Sequence, residues 1–358
     1  MKYAAIVLRN KENPVLSVRY QEVCDALLAG GVFLDEILLL PYDEPSALSA
    51  ALSRMSTECE GVFVIADLVL LEYVSEALTS FTGLNPASGA VVTDTCSYFA
   101  IPAGEDGVNM VNASVLSLVD RRRGKRYSRA YVCCVAAPPD RVRAAMKAAG
   151  EAAGDTLHLH ATHKNMVSRI EIIYDSGTPK MTADEVLRVL LTSLEGYVYA
   201  IEDVSIAQRL FELLKLRRLK LSTAESFTAG GVGQAIVQIP GASSVFFEGI
   251  NAYANEAKMQ RLGVAEFTLK SKGAVSSEVA YEMAAGLIKE GNCDIAIATT
   301  GIAGPASDGT NKPVGLAYIA VGTKERVNVY RYQLTGSREE ITKSAVNLAL
   351  WRAYYEIK

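Results

Sequence analysis

Histidine is scarce in this chain of 358 residues: there are three, all within His158-Leu-His160-Ala-Thr-His163. Residues 206–358 contain none, so a Ser-His-Asp triad there is excluded, and acid–base work falls to Lys, Tyr or carboxylates. Paired cysteine spacing is also missing. Cys24, Cys59, Cys96, Cys133, Cys134 and Cys293 follow no metal-ligand pattern. Adjacent Cys133 and Cys134 on a strand point to opposite faces and cannot chelate one ion together. Buried, reduced thiols are the expectation. No apolar run approaches the roughly 18 residues that cross a bilayer; Val62 to Leu71 is broken by Asp67. The N-terminus enters a strand pattern without signal-peptide architecture, so the expectation is a cytoplasmic protein with no membrane partner. A net charge of −4 and a pI near 5.6 argue against nucleic-acid binding through broad positive charge. The one basic run, Arg121-Arg-Arg-Gly-Lys-Arg126, has no aromatic platform and reads as a solvated inter-domain connector.

What is present is an α/β rhythm in three regions, which fits a chain of this length. Residues 1–125 alternate strand and helix: Ala4–Leu8, Leu34–Leu40 and Gly61–Ile65 as strands, Val18–Ala29, Glu44–Met55 and Leu68–Ser80 as helices. That order predicts a parallel sheet covered by helices. Residues 126–205 read as a small α+β unit, with strands at Arg129–Val135 and Ser168–Tyr174. Its helices are Pro139–Ala153 and Thr182–Leu194, the latter capped by Thr182. His158 and His160 share a strand face, but no nearby cysteine completes a metal site. No metal and no cofactor are expected.

Residues 206–358 carry the chemistry. Leu219–Thr223 reads as a strand that breaks into Ala224-Glu-Ser-Phe-Thr-Ala-Gly-Gly231 before a helix over Val232–Ile239. A strand–glycine–helix junction exposes unpaired N–H groups and favours an anion. Three further loops join it: Gly249 to Lys258, Thr299 to Pro305 with Lys312 to Gly315, and Thr335 to Arg338. Asn255 is read as capping the helix that Gly263 ends. Leu316–Val321 and Val327–Leu334 form a hairpin, and Ser337 with Glu340 makes a capping box. Loops at strand ends gather along one edge of an open sheet, where ligands bind. Ser226 alone at such a junction would ordinarily be a helix cap, and Lys258 on a helix would ordinarily be solvated.

These loops resemble the C-terminal domain of the CinA (competence/damage-inducible protein) family. The residues that carry the resemblance are Ala224-Glu-Ser-Phe-Thr-Ala-Gly230, Tyr253-Ala-Asn-Glu-Ala-Lys258, Leu262-Gly-Val264, Gly273-Ala-Val-Ser276, Thr300 to Pro305 and Lys312 to Gly315. The resemblance implies nicotinamide mononucleotide amidohydrolase activity in pyridine nucleotide salvage. It implies Ser226 as nucleophile, Lys258 as its base and Tyr253 as a proton relay or positioning group. Thr228, Gly230, Asn255, Thr300, Gly301 and Arg338 would contact a pyridine nucleotide substrate. Ala254, Phe227 and Ala229 depart from the family pattern without removing a proposed chemical group. A homodimer is the expected assembly.

The first two regions resemble the front half of full-length members: a molybdopterin-binding-like three-layer domain, then a linker domain. Yet Leu8-Arg-Asn-Lys-Glu12 and Ile65 to Tyr73 stand where a glycine–acid motif and a GGLGPT-x-DD motif belong. This implies a degenerate domain that has lost ADP-ribose pyrophosphatase chemistry. The competing reading of the chain is a non-catalytic nucleotide-binding or scaffold protein linked to competence or DNA damage.

Overall fold

A computed structural model describes residues 2–9, 19–154, 157–306 and 311–358. The chain packs as two compact units. One comprises Met1–Arg129, Gly154–His158 and Ile173–Ala183; the other comprises Ala130–Ala153, Leu159–Ile172 and Asp184–Lys358. The architecture is α/β with three sheets, the class expected from the sequence.

The first unit holds β1 (Tyr3–Arg9), α1 (Tyr20–Ala29), β2 (Leu34–Pro41), α2 (Pro45–Glu58), β3 (Gly61–Ala66), α3 (Leu71–Thr82), β4 (Ala90–Val92), β5 (Ser97–Pro102), α4 (Glu105–Met110) and α5 (Leu116–Arg123). The strand order is β2-β1-β3-β5-β4, parallel throughout except for β4. Alternation along β1 explains the two covered faces. Tyr3, Ala5 and Val7 pack with α1 and α5, whereas Ala4, Ile6 and Leu8 pack with α2 and α3.

The basic run differs from the solvated connector expected. Its first three residues end α5, and Arg123 is buried, donating to the carbonyls of Gly30 and Gly31 and to Asp120. Arg122 donates to the carbonyls of Thr93 and Asp94 and to Ser97 Oγ. A planar five-donor fork can satisfy several loop carbonyls at once, which composition alone does not reveal. After β3 the chain makes a 3-10 turn over Leu68–Leu70 before α3, with Leu68 and Val69 exposed. Residues 10–12 of the other missing motif lie outside the described residues.

The middle elements are β6 (Tyr127–Val135), α6 (Pro139–Ala153), β7 (Leu157–Lys164), β8 (Val167–Asp175), α7 (Lys180–Ser193) and β9 (Val198–Ala200), with strand order β7-β8-β6-β9. Thr182 does not cap α7, which begins two residues earlier. His158 and His160 are exposed on one face of β7, and His163 Nδ1 lies 2.9 Å from Ser168 Oγ.

The second unit ends with α8 (Ile206–Arg217), β10 (Leu221–Glu225), α9 (Gly231–Val237), β11 (Phe246–Asn251), α10 (Asn255–Leu262), α11 (Glu266–Lys272), α12 (Ser277–Lys289), β12 (Ile295–Gly301), β13 (Leu316–Thr323), β14 (Val327–Gln333) and α13 (Arg338–Ile357). The order is β11-β10-β12-β13-β14. β10 runs parallel to β11 and β12, while β13 and β14 form an antiparallel hairpin. Helices α8, α9 and α13 cover the face bearing Leu221, Ile297 and Ile319. Helices α10 and α12 cover the face bearing Ala224, Ala298 and Ala320. Because β13 pairs antiparallel to β12, its start lies at the same edge as the ends of β10, β11 and β12. The end of β14, facing Leu316, arrives there too, followed by the Ser337–Glu340 capping box that opens α13.

Candidate active site

The junction after β10 is built around an internal anion. Glu225 is buried, and its carboxylate accepts from Thr228 Oγ1 at 2.7 Å, from the N–H groups of Gly230 and Val232 at 3.0 Å, and from Gly233 N–H at 2.9 Å. The N–H groups expected to receive a ligand anion are therefore already occupied by the protein's own carboxylate. The N–H of Gly230, expected to contact the substrate, is among those paired with Glu225. With φ +92° Gly230 turns the chain into α9, and a Cβ there would approach Asn251 Nδ2 to 3.1 Å. Thr228 is also committed inward, its hydroxyl lying 2.6 Å from Thr299 Oγ1.

Ala229, ahead of Gly230, adopts φ +50°. A Cβ is unfavourable in that region, so Ala229→Gly should stabilise the chain by about 0.5–1 kcal/mol after the added unfolded-state entropy. Urea unfolding of the two proteins checks this.

Ser226 follows directly after β10, and its N–H donates to Thr299 O. It caps nothing, because α9 begins five residues later with Gly230 at the cap. Lys258, from the first turns of α10, is only 1% exposed. Its Nζ lies 3.1 Å from Ser226 Oγ, 2.9 Å from Ala252 O and 2.8 Å from Tyr253 O. Desolvation lowers its pKa from 10.5 to about 8.

This geometry orients the amine. A backbone carbonyl can only accept, so the carbonyls of Ala252 and Tyr253 hold two N–H groups in either protonation state. When Lys258 is neutral, its lone pair is left facing Ser226, and the serine hydroxyl becomes the donor.

The other expected residues have the following surroundings. The Tyr253 side chain is 67% exposed; the group that reaches Lys258 is its backbone carbonyl. Asn255 is exposed and is not the cap of α10; Ala254 occupies that position, and no side chain caps the helix. Thr300 is buried and donates to Ala274 O at 2.7 Å, pinning the loop before α12 to the end of β12. Gly301 has no room for a side chain: a Cβ would come within 2.8 Å of Leu316 O and 3.0 Å of the Phe227 ring. Arg338 opens α13 and donates to Gly304 O at 2.6 Å.

A cavity of about 650 Å³ lies beside the loop, with Thr228, Gly231, Gln234, Arg338, Lys343 and Asn347 in its lining. Ser226 and Lys258 are not part of that lining. Sequence reasoning missed two groups that shape the site. The Ala252 carbonyl carries no side-chain signal at all. Lys312, quoted only as part of a motif, clamps the same edge by donating to the carbonyls of Lys272 and Val275.

Residues 203–355 match the family model of the CinA C-terminal domain. A CinA-like protein from Kosmotoga olearia is 45% identical over 157 residues, covering 44% of this chain and 38% of that protein. A CinA-like protein from Fusobacterium nucleatum is 41% identical over 209 residues, covering 54% of this chain and 51% of that protein. The matched part thus spans about half or less of these relatives. Among solved structures, the competence/damage inducible protein CihA from Agrobacterium tumefaciens is 36% identical. It covers 41% of this chain and 90% of that chain, with a TM-score of 0.40. Residues 203–355 are a CinA C-terminal domain.

Proposed function

We propose that the chain is an amidohydrolase that converts nicotinamide mononucleotide to nicotinate mononucleotide and ammonia. The observation that carries this reading is the 3.1 Å approach of a desolvated lysine amine to a serine hydroxyl in a region without histidine. Neutral Lys258 takes the proton as Ser226 Oγ attacks the carboxamide carbon. The resulting oxyanion would be received by the Phe227 and Thr228 N–H groups, which have no backbone partner among the described residues. Protonated Lys258 then gives its proton to the departing nitrogen, ammonia leaves, and a serine ester remains. Water activated by the same amine hydrolyses that ester and regenerates Ser226. Arg338 is the cationic group at this edge suited to a phosphate, though engaging one would compete with its bond to Gly304 O.

Coupled-enzyme detection of ammonia from nicotinamide mononucleotide tests the reading. Turnover by the purified chain supports it; no ammonia above background from any pyridine nucleotide contradicts it and leaves the scaffold alternative. The pH dependence follows from Lys258. Its base form is about a tenth of the population at pH 7 for a pKa near 8, so kcat/KM should rise roughly tenfold per unit below 8 and level off above it. A flat profile between pH 6 and 9 would be the contrary result.

A further inference from the structure

The basic run Arg121–Arg126 is unused by the proposed chemistry, and only part of it is consumed by the fold. Arg122 and Arg123 turn inward onto loop carbonyls. Arg121, Lys125 and Arg126 instead line a cavity of about 530 Å³ in the first unit, together with Ser117, Asp120 and Ser176. That volume is in the range of small-molecule sites.

The walls of this cavity are held in place before any ligand arrives. Arg123 fixes the end of α5 to Gly30 and Gly31, and Ser176 N–H donates to Arg126 O at 2.8 Å. Lys125 Nζ bonds Asp175 at 2.6 Å, and the other oxygen of that carboxylate takes Gly177 N–H. The charges around the cavity divide into paired and unpaired groups. Asp120 is matched by Arg123, and Asp175 by Lys125. Arg121 and Arg126 have no hydrogen-bonding or ionic side-chain partner among the described residues. The end of α5 contributes roughly half a negative charge, and two whole guanidinium charges exceed it. The Ser176 hydroxyl adds a neutral donor beside them, whereas the Ser117 hydroxyl donates to Ser114 O.

We propose that this cavity binds a small molecule through a phosphate or diphosphate group, with Arg121 and Arg126 as the principal donors. Guanidinium forks match tetrahedral phosphate oxygens in pairs, and Lys125 adds a point charge. A nucleic acid is a poorer occupant. The lining has no aromatic side chain on which a base could stack, and the chain's net charge is −4.

Isothermal titration of the full chain with inorganic pyrophosphate and with AMP, at physiological ionic strength, tests the assignment. The variants are Arg121→Gln/Arg126→Gln and, as a control in the second unit, Arg338→Gln. Saturable binding is expected, weakened about tenfold or more in the double variant and retained in Arg338→Gln. The thermal midpoint of the double variant should not move, since both side chains are exposed. No saturable binding, equal binding by the double variant, or loss confined to Arg338→Gln would overturn the proposal. So would binding of a short oligonucleotide without binding of pyrophosphate.

Discussion

Lys258→Met is expected to lower kcat/KM for nicotinamide mononucleotide by about 10³-fold or more while leaving a folded chain. Methionine keeps much of the apolar stem in its buried place and removes only the amine. The carbonyls of Ala252 and Tyr253 lose their donor, which costs stability, but the desolvated charge disappears with it. Ser226→Ala should cost about 10⁴-fold or more, because the attacking atom itself is gone. The two residues act as one unit, so the double variant should be little worse than the poorer single variant. Multiplicative losses, or a Lys258→Met protein that remains active, would show that the amine does not serve the hydroxyl. Steady-state ammonia release, with circular dichroism to verify folding, distinguishes these outcomes.

Stability carries a signature of the same amine. Unfolding returns Lys258 to its ordinary value of 10.5, so between about pH 8 and 10.5 the unfolded chain binds the extra proton. The lysine's contribution therefore makes the folded state more stable as pH climbs through that window. Lys258→Met should remove this part of the pH dependence.

The second large effect is structural. Glu225→Ala should destabilise the chain by about 3–5 kcal/mol, because one carboxylate satisfies three N–H groups at the start of α9 and the Thr228 hydroxyl. It also supplies the negative charge that complements the helix dipole. Glu225→Gln should cost less, about 2 kcal/mol, since its amide oxygen can keep one cluster of donors while its NH₂ opposes the Gly233 N–H. Both variants should lose activity as the turn bearing Ser226 loosens. Denaturant unfolding measures the first effect; a Glu225→Ala protein as stable as the original would contradict this role.

Glu225 also shows where reading the sequence succeeds and where it stops. The strand–glycine–helix junction was legible, as was its preference for negative charge. That a residue only a few positions upstream supplies the charge was not, because the carboxylate's direction depends on how the turn closes. Alternation and apolar length identified the strands of the parallel cores, where both faces are buried and tolerate little else. Arg122 and Arg123 turn inward against the expectation, because charge predicts exposure only when no buried carbonyl competes for the donor. Ser226 and Lys258 are far apart in sequence. Their approach required β10 and β11 to be parallel neighbours, with α10 returning beneath them. Periodicity finds such elements, but tertiary packing brings the two side chains together. Tyr253 was identified from its side chain, whereas the group meeting Lys258 is its carbonyl, which any residue type could supply.

The most direct test is an NMR titration of the Lys258 ε-position in ¹³C-lysine-labelled protein, assigned by loss of its signal in Lys258→Met. The Ser226–Lys258 account predicts a midpoint near 8, as desolvation dictates. A midpoint at or above the ordinary 10.5 would leave the amine charged at working pH, unable to take a proton from Ser226, and would contradict it.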